Sequence, residues 1–261
     1  MEVLRSPDNA AFKALSKLLK DGRARREASR AVVEGPHLVV EALRAGVVRE
    51  LWVTPEAMEG KDAPTVFKAA RAAAVREKLI AAALLRRLSD SESPQGWLAV
   101  VDTVAAKPQG RPTLTLALDA LQDPGNLGTL LRCAWAAQAS LLLGPGCADP
   151  WSPKVLRAGV GAHFHVSVQT VSELPSALKS LAGQGVVILA TSPRAAASYL
   201  DVDLKRPLCL VLGAEGAGLS PEVAAVAKEQ LSIPYPGGAE SLNAAVSGAI
   251  VLFEALRQRR A

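Results

Sequence analysis

Between residues 113 and 234 the chain alternates short, nearly unbroken apolar runs with longer stretches where apolar residues recur every three or four positions. The runs are TLTLALD, ASLLLG, VVILAT, LCLVLG and QLSIP, and continuous apolar runs predict strands of a parallel sheet covered on both faces. The intervening stretches predict helices near 125–138, 152–160, 173–182 and 220–229, with a longer one near 242–259. Such alternation predicts an α/β domain, a parallel sheet wrapped by helices. A second, smaller α/β pattern precedes it. AFKALSKLLK reads as an amphipathic helix, AVVEG as a strand, and PHLVVEALRAG as a helix that opens on Pro36 and stops before Gly46. RELWVT and WLAVVDT read as strands, with helices near 64–74 and 81–88 between them. The stretch AAKPQGRPT, residues 105–113, is rich in Pro, Gly and Lys and lacks periodicity, so it divides the chain into domains 1–105 and 106–261.

Composition narrows the class. The 261 residues are 49% hydrophobic and 21% charged, which is globular. No apolar run approaches the ~20 residues of a membrane span, and MEVLRSPDNAAFK has no apolar signal core, so a cytoplasmic location is expected. Cys133, Cys147 and Cys209 stand far apart without CxxC spacing, which predicts buried free thiols and no metal or disulfide framework. The net charge is +5, and the surplus of Lys13, Lys17, Lys20, Arg23, Arg25, Arg26 and Arg30 over Asp21 and Glu27 equals it. A basic patch confined to one segment is the footprint of a phosphate-backbone partner, with Arg23, Arg25, Arg26 and Arg30 of a 21–30 loop as candidate contacts to nucleic-acid phosphates. A solvated helix and turn would show the same charges.

The candidate chemistry lies in three loops beyond the carboxyl ends of the predicted strands, where ligands bind in such sheets. In DPGNLGTLLR, residues 123–132, an apolar helix opens on Pro-Gly-Asn and carries a lone Arg132. Asn126 stands at the helix entrance, where it can cap backbone N–H groups; Arg132 lies six residues on, about 9 Å along the axis. In VLGAEGAGLS, Glu215 is flanked by glycine and alanine. In IPYPGGAESLNAAVSGA, Ser241 reads as the cap of the last helix, whereas Asn243 inside the first turn lacks that explanation. A dinucleotide fold would need GxGxxG after the first strand; here Gly213, Gly216 and Gly218 come late and in reverse spacing, and no GxxxxGK[ST] occurs.

NLGTLLR, LGAEGAGLS and IPYPGGAESLNAAVSGAIVLFEAL resemble the three signature motifs of the SpoU family of RNA ribose 2'-O-methyltransferases, within the SPOUT superfamily. The likeness covers 114–258, and the first domain is similar to the ribosomal-protein-like RNA-binding domain of many members. The resemblance implies a trefoil-knotted domain binding S-adenosylmethionine, with Gly213, Ile233 and Leu242 against the cofactor and Thr191, Leu212 and Pro234 nearby. It implies Asn126, Arg132, Glu215, Ser241 and Asn243 around the target ribose, and a homodimer whose site draws the arginine from the partner subunit. A guanidinium with a pKa above ~12 stays charged, so Arg132 is expected to clamp an RNA phosphate and lower the hydroxyl's pKa through its field. The sequence departs from the family at Ala244 and Ala245, where Val-Ser is common, and at Tyr235, where methionine is common.

The remaining candidates favour structural roles. His163 and His165 would share a face if GAHFHVSV were a strand, but nothing completes a metal set. His37, Trp135 and Trp151 read as packing residues, and Trp97, beside a glycine, as a possible stacking platform for RNA. The leading reading is methyl transfer from S-adenosylmethionine to RNA, ribosomal rather than transfer RNA because of the extra amino-terminal domain. The alternatives are a tRNA 2'-O-methyltransferase, a non-catalytic RNA-binding protein on the same scaffold, and a nucleotide-dependent oxidoreductase, which the glycine spacing opposes.

Overall fold

A computed structural model describes residues 2–103, 113–237 and 241–260. All but Thr113 of the linker read at 105–113 lies outside the described residues, as do residues 238–240 of the third motif. The chain forms two units. The first takes the residues up to 103 together with Asp149–Phe164, and the second takes the rest.

In the first unit the elements run β1 (Val3–Leu4), α1 (Ala10–Lys20), α2 (Gly22–Ala28), β2 (Arg30–Glu34), α3 (Pro36–Arg44) and β3 (Val48–Val53). They continue with α4 (Pro55–Met58), α5 (Ala63–Ala72), β4 (Glu77–Ile80), α6 (Ala82–Leu88) and β5 (Trp97–Asp102). The sheet order is β1-β4-β3-β5-β2, with β5 antiparallel to both neighbours. Successive side chains of a strand point to opposite faces, so β5 serves two cores. Trp97, Ala99 and Val101 pack with α3 and α5, while Leu98 and Val100 pack with Phe12, Leu15, Leu84, Leu85 and Leu88 from α1 and α6. Trp97 is 1% exposed, so it is a core residue and cannot stack on RNA.

The second unit opens with β6 (Leu114–Leu118), α7 (Pro124–Ala136) and β7 (Ser140–Leu143). The chain then runs through α8 (Pro153–Gly159) to β8 (Val168–Thr170), α9 (Leu174–Gly183), β9 (Val187–Thr191), β10 (Leu208–Leu212), α10 (Pro221–Val226), β11 (Glu229–Leu231) and α11 (Ala244–Arg260). The sheet order is β11-β9-β10-β6-β7-β8 and every pairing is parallel. The continuous apolar runs are explained: β6 and β10 are buried at every position.

Two features of the first unit differ from the sequence reading. Residues 21–30 are not a loop but mostly helix, α2, capped by Asp21, whose carboxylate accepts from Arg23 N at 2.8 Å. Arg25, expected to meet RNA, points inward and is 6% exposed. Its guanidinium donates to Asp149 Oδ2 and to the carbonyls of Leu18 (2.7 Å) and Leu19 (3.1 Å). Every face of this cation is spent inside the protein. The second difference is the assignment of α8 and its flanks. Leu156 belongs to the α3–α5 core, with Trp151 and Phe164 packed against it.

His163 lies in that segment on a short 3-10 turn, not a strand, and is fully buried. Its Nε2 lies 2.7 Å from the Pro150 carbonyl, an acceptor, so Nε2 carries the proton and Nδ1 is an unpartnered acceptor. Burial pushes its pKa down to about 4. The unfolded chain takes up a proton near 6.5 and the folded chain does not, so stability is lost as pH falls from about 6.5 toward 4, by about 3 kcal/mol. His163→Gln is expected to flatten that part of the stability curve, measured by denaturant melts across the window; an unchanged slope would refute the assignment.

Cys209 is buried, which pushes its thiol up to about 12, and Cys133 and Cys147 are half-buried; all three are unpaired. Among the described residues no helix is long and apolar enough to cross a membrane, and no three His, Cys, Asp or Glu side chains are grouped to hold a metal ion.

Candidate active site

The carboxyl ends of β9, β10 and β11 open into a cavity of about 690 Å³ within the second unit. Its apolar lining comes from Leu212 at the end of β10, Leu231 and Ile233 after β11, and Leu242 before α11. Thr191, Gly213, Glu215, Ser241 and Asn243 line it as well. Of the expected cofactor residues, only Pro234 is outside this lining; it is exposed.

The loop after β10 folds back on itself. Ala214 N donates to Gly218 O at 3.0 Å and Gly218 N to Ala214 O at 2.9 Å, with Gly216 and Gly218 at φ of +80° and +71°. A Cβ on Gly213 would lie 2.2 Å from the Gly218 carbonyl carbon and 2.5 Å from Leu219 N. Only glycine lets the two backbones meet there. Asp119, just past β6 and 7% exposed, anchors the far end: its Oδ2 accepts from Ser220 N (2.7 Å) and Ser220 Oγ (2.8 Å). Asp119 was missed as a site residue, because its partner lies 101 residues away and leaves no local pattern.

The three motifs meet through their side-chain amides. α7 is capped by Asp123, whose Oδ1 accepts from Asn126 N at 2.7 Å, so Asn126 is not the cap and its side chain is left to reach outward. Its amide nitrogen donates to Glu215 Oε1, and its carbonyl accepts from Asn243 Nδ2 at 2.9 Å. Asn243, not Ser241, caps α11, with Oδ1 accepting from Ala245 N (2.9 Å) and Val246 N (3.2 Å). The orientation of the chain of amides follows from that cap. Helix N–H groups demand the Asn243 oxygen, which turns its NH₂ toward Asn126 and the Asn126 NH₂ toward Glu215. The positive end of α11 is thereby linked to a carboxylate. Ser241 lines the cavity without a place in this chain.

Ala244 lines the cavity, whereas Ala245 and the glycine beyond it serve packing. Ala245 is buried, and a Cβ on Gly248 would lie 2.6 Å from Leu130 Cδ2 of α7 and 2.7 Å from Leu212 Cδ1. α11 therefore lies against α7 and β10, which holds Asn243 beside Asn126.

Arg132 stands apart. Six helical residues from Asn126 place it about 120° round α7; it is exposed and outside the cavity lining. Among the described residues it makes no ion pair. Another cation, Arg194 of the loop after β9, does line the cavity and was not anticipated. A lone arginine in a loop carries no pattern that would reveal it.

Comparison with known proteins places these features. The SpoU rRNA Methylase family matches residues 113–253, and the MRM3-like substrate binding domain matches residues 9–99. An uncharacterized tRNA/rRNA methyltransferase of Synechocystis is 33% identical, over 97% of this chain and 93% of the relative. The Bacillus subtilis 23S rRNA (guanosine(2553)-2'-O)-methyltransferase RlmP is 32% identical, over 97% and 98% of the two chains. Among solved structures, the SpoU methyltransferase AviRb from Streptomyces viridochromogenes in complex with AdoMet superposes with a TM-score of 0.85 at 28% identity, covering 97% of this chain and 99% of that one.

Proposed function

Because this chain belongs to the SpoU rRNA methylase family it is an S-adenosylmethionine-dependent RNA ribose 2'-O-methyltransferase, and we propose large-subunit ribosomal RNA as its substrate and a homodimer as its working form. The observation that carries the reading is the Asn243–Asn126–Glu215 chain set on the rim of the cavity at Gly213. The cavity suits the cofactor: Gly213 lets the turn to Gly218 close tightly along its edge, and Leu212, Ile233 and Leu242 offer apolar walls for an adenine. When bound there, S-adenosylmethionine supplies an electrophilic methyl group on a sulfonium.

Displacement from a sulfonium needs the attacking oxygen in line, so the residues contribute chiefly alignment and charge. Asn126 and Asn243 are engaged with each other, and their work is to hold Glu215. Its carboxylate then orients Arg132 of the partner subunit, whose guanidinium clamps the RNA phosphate and eases loss of the ribose 2'-hydroxyl proton to solvent water. Ser241, at the cavity edge, is placed to meet a ribose oxygen.

A dimer face is available on the helices that carry these residues. Trp135 of α7 and Val246 and Phe253 of α11 are 42%, 48% and 48% exposed, and Trp135 stacks on the His165 ring at 4.1 Å. Val246 and Phe253, seven residues apart, lie on one side of α11, and Arg132 precedes Trp135 by three. Substrate recognition by rRNA is supported by the match of the first unit to a substrate-binding domain and by the 23S rRNA activity named for the Bacillus relative.

Tritiated-methyl transfer to deproteinised rRNA and tRNA tests the substrate: incorporation into rRNA is expected, and incorporation into tRNA alone overturns the choice. Sedimentation at the assay concentration tests the dimer, which an active monomer would refute.

A further inference from the structure

The helical layers of the first unit carry unequal charge. α1, α2 and α6 hold eight basic residues against one acidic, whereas α3, α4 and α5 hold three against two. The basic excess is organised. Phe12 and Leu15 turn α1 toward the sheet, leaving Lys13, Lys17 and Lys20 exposed at spacings of four and three, a single stripe. On α6, Leu84, Leu85 and Leu88 face the same core, and Arg86 and Arg87 are exposed. The Arg87 guanidinium stands 5.7 Å over the Phe12 ring, so the two rows are neighbours. Arg25 extends the surface, since its hydrogen bonds to the Leu18 and Leu19 carbonyls fasten α2 to the last turn of α1, with Arg23 and Arg26 exposed.

Few anions neutralise this face, and the Asp21 carboxylate near Lys17 and Arg23 is engaged in capping α2. Asp8 lies 3.6 Å from Lys13 and Glu27 pairs with Arg23 at 2.6 Å, both exposed pairs of small worth. Among the described residues Lys17, Lys20, Arg26, Arg86 and Arg87 make no ion pair. Every exposed large hydrophobic residue of the described chain, Trp135, Leu200, Val246 and Phe253, lies in the second unit. A face of long cations without an apolar centre suits a polyanion backbone and not a protein interface, whose core is depleted in lysine.

We infer that α1, α2 and α6 form the RNA-backbone face of the first unit, with Lys17, Lys20, Arg26, Arg86 and Arg87 on phosphates and Arg25 positioning α2. The inference rests on the rRNA reading above, but it moves the contact from one arginine segment to a surface built from three helices.

The test is a variant carrying Lys17→Gln, Lys20→Gln, Arg86→Gln and Arg87→Gln, titrated with a 23S rRNA transcript across a series of salt concentrations. The slope of log affinity against log salt is expected to shrink by about three, because each lost phosphate contact removes roughly 0.7–0.9. S-adenosylmethionine affinity and the thermal midpoint are expected to stay at wild-type values. A control variant with Arg44→Gln, Lys68→Gln and Arg71→Gln, on α3 and α5, is expected to keep the wild-type slope. An unchanged slope in the first variant, or a loss confined to the control, overturns the proposal. Failure of the underlying reading is distinct: the wild-type enzyme itself would then transfer no methyl group to rRNA.

Discussion

Arg132→Ala is expected to lower kcat by about a thousandfold, the scale of losing a charged group that stabilises developing negative charge, while S-adenosylmethionine affinity stays unchanged. The cavity at Gly213 and the arginine are separate features of one chain, since Arg132 is exposed on α7 and does not line the cavity. That separation also makes the origin of the arginine measurable. Mixing Arg132→Ala subunits with Gly213→Ala subunits, at a cofactor concentration too low for the weakened Gly213→Ala cavity to fill, creates dimers in which one intact cavity meets one intact arginine across the interface. If the arginine is given in trans, the mixture is expected to recover about a quarter of wild-type activity, as expected for half the dimers having one of two sites rebuilt. If it acts within its own chain, no site is rebuilt and the mixture stays silent. Survival of turnover in Arg132→Ala alone would remove the arginine from the mechanism.

Gly213→Ala is expected to weaken S-adenosylmethionine binding on the order of a hundredfold, because overpacking against backbone cannot be relieved by a rotamer change. The new methyl would sit 2.2 Å from the Gly218 carbonyl carbon, so the whole turn from Ala214 to Gly218 must move. That turn carries Glu215, so residual methyl transfer at saturating cofactor is also expected to fall. Calorimetry separates the two effects, and wild-type affinity in the variant would show that the turn is softer than its hydrogen bonds imply. Gly216→Ala makes a useful contrast, since its Cβ meets nothing within 4 Å and its cost lies in the positive φ alone.

The legibility of the fold follows the physics of each element. Strands β6, β7, β9 and β10 were readable because burial on both faces writes an unbroken apolar run. β1, β4 and β8 were not, being two to four residues long with polar positions, as in EKLI and VQT. α2 escaped notice because GRARREA has no apolar stripe; it is held by the Asp21 cap and by the Arg25 bonds to Asp149 and to the α1 carbonyls. The same bonds explain why Arg25 was misjudged, since charge in a sequence does not reveal which way a side chain turns.

The site was legible as three loops but not as a network. Asn126, Glu215 and Asn243 were singled out for residue type and setting, and the structure brings them into one chain of hydrogen bonds. The capping roles were inverted, because both Ser241 and Asn243 are good caps and only the start of α11 at Ala244 decides between them. Asp123, directly after an unremarkable glutamine, took the capping place read for Asn126.

The path of the chain between β7 and β8 has a bearing on how the two halves can be taken apart. Asp149 neutralises Arg25, Leu156 fills the core under α3 and α5, and His163 is sealed there as well. A gene cut at the linker would deliver a first half missing sixteen of its own residues and a second half trailing a loop whose apolar side chains have lost their home. Transplanting either half onto another enzyme therefore calls for two joints, and a fragment study that makes one would mistake a severed core for an inactive domain.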